Sequence, residues 1–265
     1  MSNRVFLHGV PNTPQVWGPL LAQLTSTALT PCLPGFCYPT SPKFRGSKDD
    51  YATWLVGLLE DRHARYGPID IVGHDWGAIL ALRAASLRPD LIKSWAICGA
   101  AVDPNYRGHL LAHVWNTPWL GEAAMAMTHR KLLELVFRRG SLPPDLARSE
   151  ASAWSPGMRG SILALYRSAN GLRFEGDWID RLDALPSGGL LIWGENDPYV
   201  PVCVAHRFAR RHRAALQVEP DAGHWVIVER AAQIAATLIA HWDGTLTLGG
   251  LRIPAGEGYA SFKAP

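Results

Sequence analysis

Ile71-Val72-Gly73-His74-Asp75-Trp76-Gly77-Ala78 reads as a strand, a sharp turn and a helix, and this reading decides the fold. Ile69 to Val72 is a short apolar, β-branched run, whereas Ala78 to Ala85 is rich in strong helix formers. Gly73 and Gly77 stand two residues either side of Asp75, a spacing that lets the backbone take the strained turn which pushes one side chain out above a sheet. A serine at such an elbow attacks carbonyl carbon. A carboxylate attacks an electrophilic saturated carbon instead and leaves an alkyl ester on its own side chain, which water must then hydrolyse. A plain loop with Asp75 as helix N-cap would give the same pentapeptide without chemistry, so the flanking segments decide.

Upstream, Arg4 to Leu7 is a strand candidate that ends in His8-Gly9-Val10-Pro11. Backbone amides from such a loop and from the residue after a nucleophile converge on a developing oxyanion, which makes Val10 and Trp76 the expected donors and Asn12 a side-chain amide nearby. Leu29 to Leu33 reads as a second strand closed by Pro34-Gly35-Phe36, Asp49 to Tyr66 as a helix, and Leu91 to Cys98 as a further strand. Strands alternating with helices predict a parallel sheet, whose ligands bind beyond the carboxyl ends of its strands.

From about Asp103 to Asp183 the sequence turns helical and aromatic, broken at Pro118, Pro143-Pro144 and Pro156-Gly157, as in an inserted helical cap. Gly189 to Trp193 resumes the sheet and leads into Gly194-Glu195-Asn196-Asp197-Pro198. A helix from Val202 to Arg211, a strand from Leu216 to Val218, the turn Ala222-Gly223-His224-Trp225 and a helix from Val226 to Trp242 follow. The expected division is residues 1–102 for the first part of the core, 103–183 for the cap and 184–265 for the second part with a tail. Asp75, Asp197 and His224 occur in the order nucleophile, acid, histidine; a carboxylate that fixes the imidazole tautomer leaves its other nitrogen free as a general base.

Composition narrows the function. A chain of 265 residues buries one large core, and 26 basic against 23 acidic residues, spread along it, give no stripe for nucleic acid. Cys32, Cys37, Cys98 and Cys203 have neither metal-ligand spacing nor the density of a disulfide scaffold, which points to a reducing cytoplasm. No signal-peptide pattern opens the chain and no apolar run approaches a membrane span. Of the 11 tryptophans, Trp76, Trp115 and Trp225 are candidates for the pocket. The expected partners are a small apolar electrophile and water, with no nucleic acid, membrane, metal or cofactor; a homodimer is one assembly considered.

His8-Gly9-Val10-Pro11, Gly73-His74-Asp75-Trp76-Gly77, Gly194-Glu195-Asn196-Asp197-Pro198 and Gly223-His224 together resemble the α/β-hydrolase superfamily, in its aspartate-nucleophile branch of epoxide hydrolases and haloalkane dehalogenases. The resemblance implies an α/β fold with a mostly parallel sheet, helices on both faces and the helical cap. It also implies Asp75, His224 and Asp197 as catalytic groups, and Tyr166 of Leu165-Tyr166-Arg167 as the cap tyrosine that protonates an opening epoxide. His109, His113 or Trp115 stand where a second cap donor belongs, and His8, Pro11, Phe36, His113, Trp115 and Trp225 are expected to line the pocket.

The expected reaction is epoxide opening to a vicinal diol. A haloalkane or haloacid dehalogenase is the alternative, for which Trp76 with Asn12 or Trp115 would grip the halide, although Val10 stands where an asparagine is usual. A non-hydrolytic or ligand-binding member is the reading from another class. Cys32-Leu33-Pro34-Gly35-Phe36-Cys37 departs from the usual pattern at both cysteines. Relatives usually begin with an antiparallel strand pair, for which this chain has no room before Val5; Thr245 to Leu248 and Leu251 to Ile253, around Gly249-Gly250, resemble that hairpin moved to the other end.

Overall fold

Five strands, Arg4–Leu7 (β1), Ile69–His74 (β2), Ile92–Cys98 (β3), Leu190–Gly194 (β4) and Ala215–Glu219 (β5), make one parallel sheet in that order in the computed structural model, which describes residues 3–25, 27–186 and 188–246. β2 is buried at every position, as a strand covered on both faces must be. The connection from β1 to β2 carries Gly18–Leu21 (α1) and Lys48–Tyr66 (α2), and that from β2 to β3 carries Trp76–Leu87 (α3). Six helices fill the segment between β3 and β4: Leu110–Asn116 (α4), Leu120–Met127 (α5), Arg130–Arg139 (α6), Pro144–Ser152 (α7), Pro156–Ser168 (α8) and Asp177–Asp180 (α9). Val202–His212 (α10) joins β4 to β5, and Val226–Glu229 (α11) and Ala231–Trp242 (α12) close the described fold.

The expected strand over Leu29 to Leu33 shrinks to a single bridge. Leu29 pairs in parallel with Val5, with Phe6 N–H donating to its carbonyl at 2.8 Å and its own N–H donating to Arg4 at 2.9 Å. Pro31 and Pro34 then remove the donors that a longer ladder needs. The bridge lies on the side of β1 away from β2, so the chain moves outward from β1 to Leu29 and returns past β1 to β2. Right-handed crossovers in opposite directions put their helices on opposite faces, and α1 packs with α12 while α2 packs with α3. The reversal also opens a crevice beyond the carboxyl ends of β1 and β2.

Two expectations about the helices are corrected. The helix expected from Val226 to Trp242 is two, because Arg230 takes a non-helical φ of −123° and ψ of 34°. Pro144 and Pro156 open α7 and α8 at their first residues, where the missing N–H costs nothing, so the prolines start cap helices as much as they end them. Cys32 and Cys37 form a disulfide, since the turn at Pro34 to Phe36 brings their Cα atoms to 6.1 Å; a wholly reduced set of thiols is therefore not what the fold holds. Cys98 and Cys203 are free. The hairpin expected around Gly249-Gly250 lies outside the described residues. Among the described residues no helix is long and apolar enough to cross a membrane.

Candidate active site

Asp75 follows β2 directly with φ 52° and ψ −124°, so the strain of the elbow is carried by the aspartate itself. Gly73 and Gly77 are needed for space: a Cβ on Gly77 would lie 2.2 Å from the Leu7 carbonyl oxygen, and one on Gly73 2.4 Å from the Ala78 Cα. Asp75 stands at the N-cap of α3 but makes no side-chain cap bond. Its Oδ1 instead accepts from Val10 N–H at 2.7 Å, across the mouth of the sheet. Gly9 permits this approach, since a Cβ there would meet the Asp75 Cβ at 2.4 Å. Burial raises the Asp75 carboxyl above its ordinary range, opposed by His224 and by the backbone amides of Val10 and Trp76.

His224 lies in the turn after β5. Its Nδ1–H donates to Asp197 Oδ2 at 2.8 Å, which leaves Nε2 unprotonated and 3.9 Å from Asp75 Oδ2. Asp197 Oδ1 accepts from the Tyr199 and Val200 amides at 2.8 and 3.0 Å, so both of its oxygens are engaged. Burial alone would push the imidazole down, but Asp197 and Asp75 outweigh it and hold the His224 pKa above normal; burial likewise pushes Asp197 up, and His224 with those amides brings it below normal. His74, to which the sequence assigned no role, is buried, and its Nε2–H donates to the His224 carbonyl at 2.9 Å; burial takes its pKa down to about 3 and keeps it neutral.

The side chains of Asp75 and His224 face a cavity of about 220 Å³. Val10, Pro11 and Trp225 line it from the core, and His109, Trp115 and Tyr166 from the cap. Tyr166 is buried among ring edges, 5.3 Å from Trp76 and 4.9 Å from Trp115 between centroids, and burial raises its pKa well above 10, so the phenol stays protonated. His109 N-caps α4: its Nδ1 accepts from Ala112 N–H at 3.1 Å. That bond places the ring proton on Nε2, and burial, lowering the pKa to about 4, keeps the ring neutral. His109 therefore faces the cavity as a neutral N–H donor beside Tyr166, their ring centroids 6.1 Å apart. The Trp76 indole N–H is buried without an acceptor in hydrogen-bonding geometry.

Four expected residues stand elsewhere. His113 is exposed, because Leu111 and Trp115, four apart on α4, already define its cavity face and residue 113 falls on the other side. His8 is fully buried below the loop, with its Nε2 accepting from Leu33 N–H at 3.0 Å and its Nδ1–H donating to the Gly9 carbonyl at 2.9 Å. Phe36 packs its edge on His8 and does not reach the cavity. Asn12 is buried with Oδ1 accepting from the Trp225 indole at 2.9 Å, so it braces a cavity wall instead of facing an anion. Sequence reading missed Tyr199, which lines the cavity 5.0 Å from the His224 ring; its place two residues after Asp197 was the available signal. A larger depression, about 560 Å³ beside Asp103 and Arg207, contains none of these groups.

The alpha/beta hydrolase family profile matches residues 5–237. An epoxide hydrolase of Caballeronia sordidicola is 32% identical over 251 residues, covering 91% of this chain and 67% of that protein. A 2-hydroxymuconate semialdehyde hydrolase of Pseudomonas sp. (strain CF600) is 27% identical over 235 residues, covering 83% of this chain and 78% of its own. Among solved structures, a haloalkane dehalogenase from Bradyrhizobium elkani superposes with a TM-score of 0.73 over 92% of this chain and 91% of that one, at 19% identity, and so shares the fold.

Proposed function

Because the chain belongs to the alpha/beta hydrolase family, we propose that it opens a small apolar epoxide to a vicinal diol through an ester formed on Asp75. The observation that carries this reading is a carboxylate, in place of a hydroxyl, at the strained elbow, with Oδ1 held by Val10 N–H and Oδ2 turned toward His224 Nε2. Asp75 Oδ2 attacks one epoxide carbon, the carbon–oxygen bond breaks, and the oxygen takes the Tyr166 proton while accepting a hydrogen bond from His109 Nε2–H. His224 then takes a proton from water, whose oxygen attacks the ester carbonyl; the oxyanion on Oδ1 meets the Val10 and Trp76 amides. Collapse releases the diol oxygen, which takes the proton from His224, and the proton left on the Asp75 carboxyl restores the Tyr166 phenol.

Electrostatics fits this order. Alkylation removes the charge of Asp75, one of those that raise the His224 pKa, and so favours the neutral imidazole that the second half-reaction uses as its base. Dehalogenation is the second reading, favoured by the buried indole N–H of Trp76, which meets no acceptor in full hydrogen-bonding geometry and is a donor suited to a departing halide. Intact mass of a His224→Gln variant mixed with epoxide and chloroalkane panels tests both readings. The expected result is an adduct on Asp75 with the full mass of the epoxide. An alkyl adduct from chloroalkanes alone would exchange the two readings, and no adduct on Asp75 from either panel would end the covalent route.

A further inference from the structure

Most of the large apolar side chains exposed among the described residues lie in α4, α5, α6 and their joins; Leu110 is 78%, Trp119 86% and Met127 77% exposed. Three more, Leu111, Leu132 and Val136, are exposed and also line the cavity that holds Asp75, so the apolar surface is continuous with the mouth of the site. Along α6, Leu133 and Phe137 point into the core, while Leu132, Leu135 and Val136 occupy the adjoining outward arc. Lys131 and Arg138, seven residues apart, share its border, with Arg130 and Arg139 at the two ends. All four cations are exposed, and none forms an ion pair among the described residues. The acids of this region are occupied: Glu122 binds Arg167 at 2.7 Å, and Glu134 faces Arg148 at 4.0 Å.

We propose that this face of the cap docks on an anionic lipid bilayer, with Leu110, Trp119 and Leu135 entering the interface and the α6 cations meeting the headgroups. An outward apolar arc edged by Lys and Arg is the pattern of a surface that lies on a membrane without spanning it. The charge selects among occupants. In a two-fold pair of this chain the same cationic border would face itself, which opposes association. A protein partner seated there would close the cavity mouth, whereas a bilayer dissolves apolar substrate and presents it to that mouth. The delivery of substrate rests on the proposed reading of the cavity; adsorption to lipid does not.

Co-sedimentation with phosphatidylcholine vesicles, with and without phosphatidylglycerol, tests the docking, and using Asp75→Asn protein separates it from catalysis. Binding is expected on the anionic vesicles only, weakening as salt screens the cations. A double Leu110→Asp, Leu135→Asp variant should bind at least tenfold less while turning over water-dissolved substrate as before, because neither residue lines the cavity. An Arg138→Gln, Arg139→Gln variant of unchanged melting temperature should lose the preference for anionic lipid. No sedimentation of the parent protein at low salt overturns the proposal. So does a concentration-dependent dimer that the Leu110→Asp, Leu135→Asp variant dissociates, which would assign the face to a second copy.

Discussion

Asp75, Val10, Asp197 and His224 all sit between one and five residues beyond the end of a strand, whereas Tyr166, His109 and Trp115 come from the cap helices α8 and α4 and the cap of the latter. The strand-end groups are fixed by direct bonds: Val10 N–H to Asp75 at 2.7 Å, His224 to Asp197 at 2.8 Å, and the amides of Tyr199 and Val200 to Asp197. The aromatic groups of the cap stand against one another through ring edges at 4.9 to 6.3 Å. Bonds of the first kind allow little adjustment, while packed edges can slide. Changes in the core should therefore act close to all-or-none and changes in the cap by degrees.

Asp75→Asn is the largest break. It should lower turnover by about 10⁴-fold or more, since groups that act as a unit are lost together. The same substitution should raise stability. Burial lifts the folded-state pKa of Asp75 above its unfolded value, so the folded state binds more protons there and loses stability as pH rises through that interval. An uncharged asparagine has no such slope, and the variant should melt higher than the parent above neutral pH. A lower melting temperature would mean that the carboxylate is stabilised in its site.

Tyr166→Phe comes next, with alkylation slowed by roughly 10²- to 10⁴-fold and ester hydrolysis much less affected, as for a positioned acid. His109→Phe should slow the same step by a smaller factor. If both donors serve one oxygen, the double variant will lose less than the product of the two single losses. Independent, multiplicative losses in stopped-flow alkylation would place them on different atoms. Gly9→Ala follows in the core: its Cβ, 2.6 Å from Asp75 Oδ1, must displace the loop and with it the Val10 amide. Removing one such donor is typically worth about 10² to 10³ in rate, and the loss should fall on ester hydrolysis.

The same contrast separates what could be read in the sequence from what could not. Strand-end groups lie in short motifs where backbone conformation and residue type are linked locally, so Arg4–Leu7 is found as expected and the elbow, the acid turn and the histidine turn stand together. Cap residues need the rotation of each helix, which no local pattern supplies. Hence His113 was expected inside, where Leu111 and Trp115 face the cavity, and Tyr166 was reached only through a resemblance. His8 and Phe36 belong to the pocket only by the resemblance; Leu33, on the segment that Pro31 keeps out of the sheet, donates to His8 from below, and neither ring reaches the cavity. The Cys32–Cys37 pair depends on the closing of that same turn.

Glu150 joins the two regions and gives the smallest expected change in rate. This α7 carboxylate is fully buried and accepts from Thr13 N–H at 2.7 Å and from the Thr13 hydroxyl at 3.2 Å, three residues beyond Val10. Burial raises its pKa from 4.5 to about 7, against the pull of Thr13. Between those values the folded protein holds a proton that the unfolded chain releases, so this group's contribution to stability falls as pH rises. Glu150→Gln keeps the acceptor and removes the titration. It should match the parent in acid and exceed it by about 2–4 kcal/mol at alkaline pH, with turnover changed by no more than about tenfold. Melting curves of both proteins from about pH 5 to about pH 9 check this. Parallel curves would show that Glu150 does not titrate across the interval. A larger loss of turnover, confined to ester hydrolysis, would make the cap a partner in aligning the Val10 amide and so narrow the difference between the two regions.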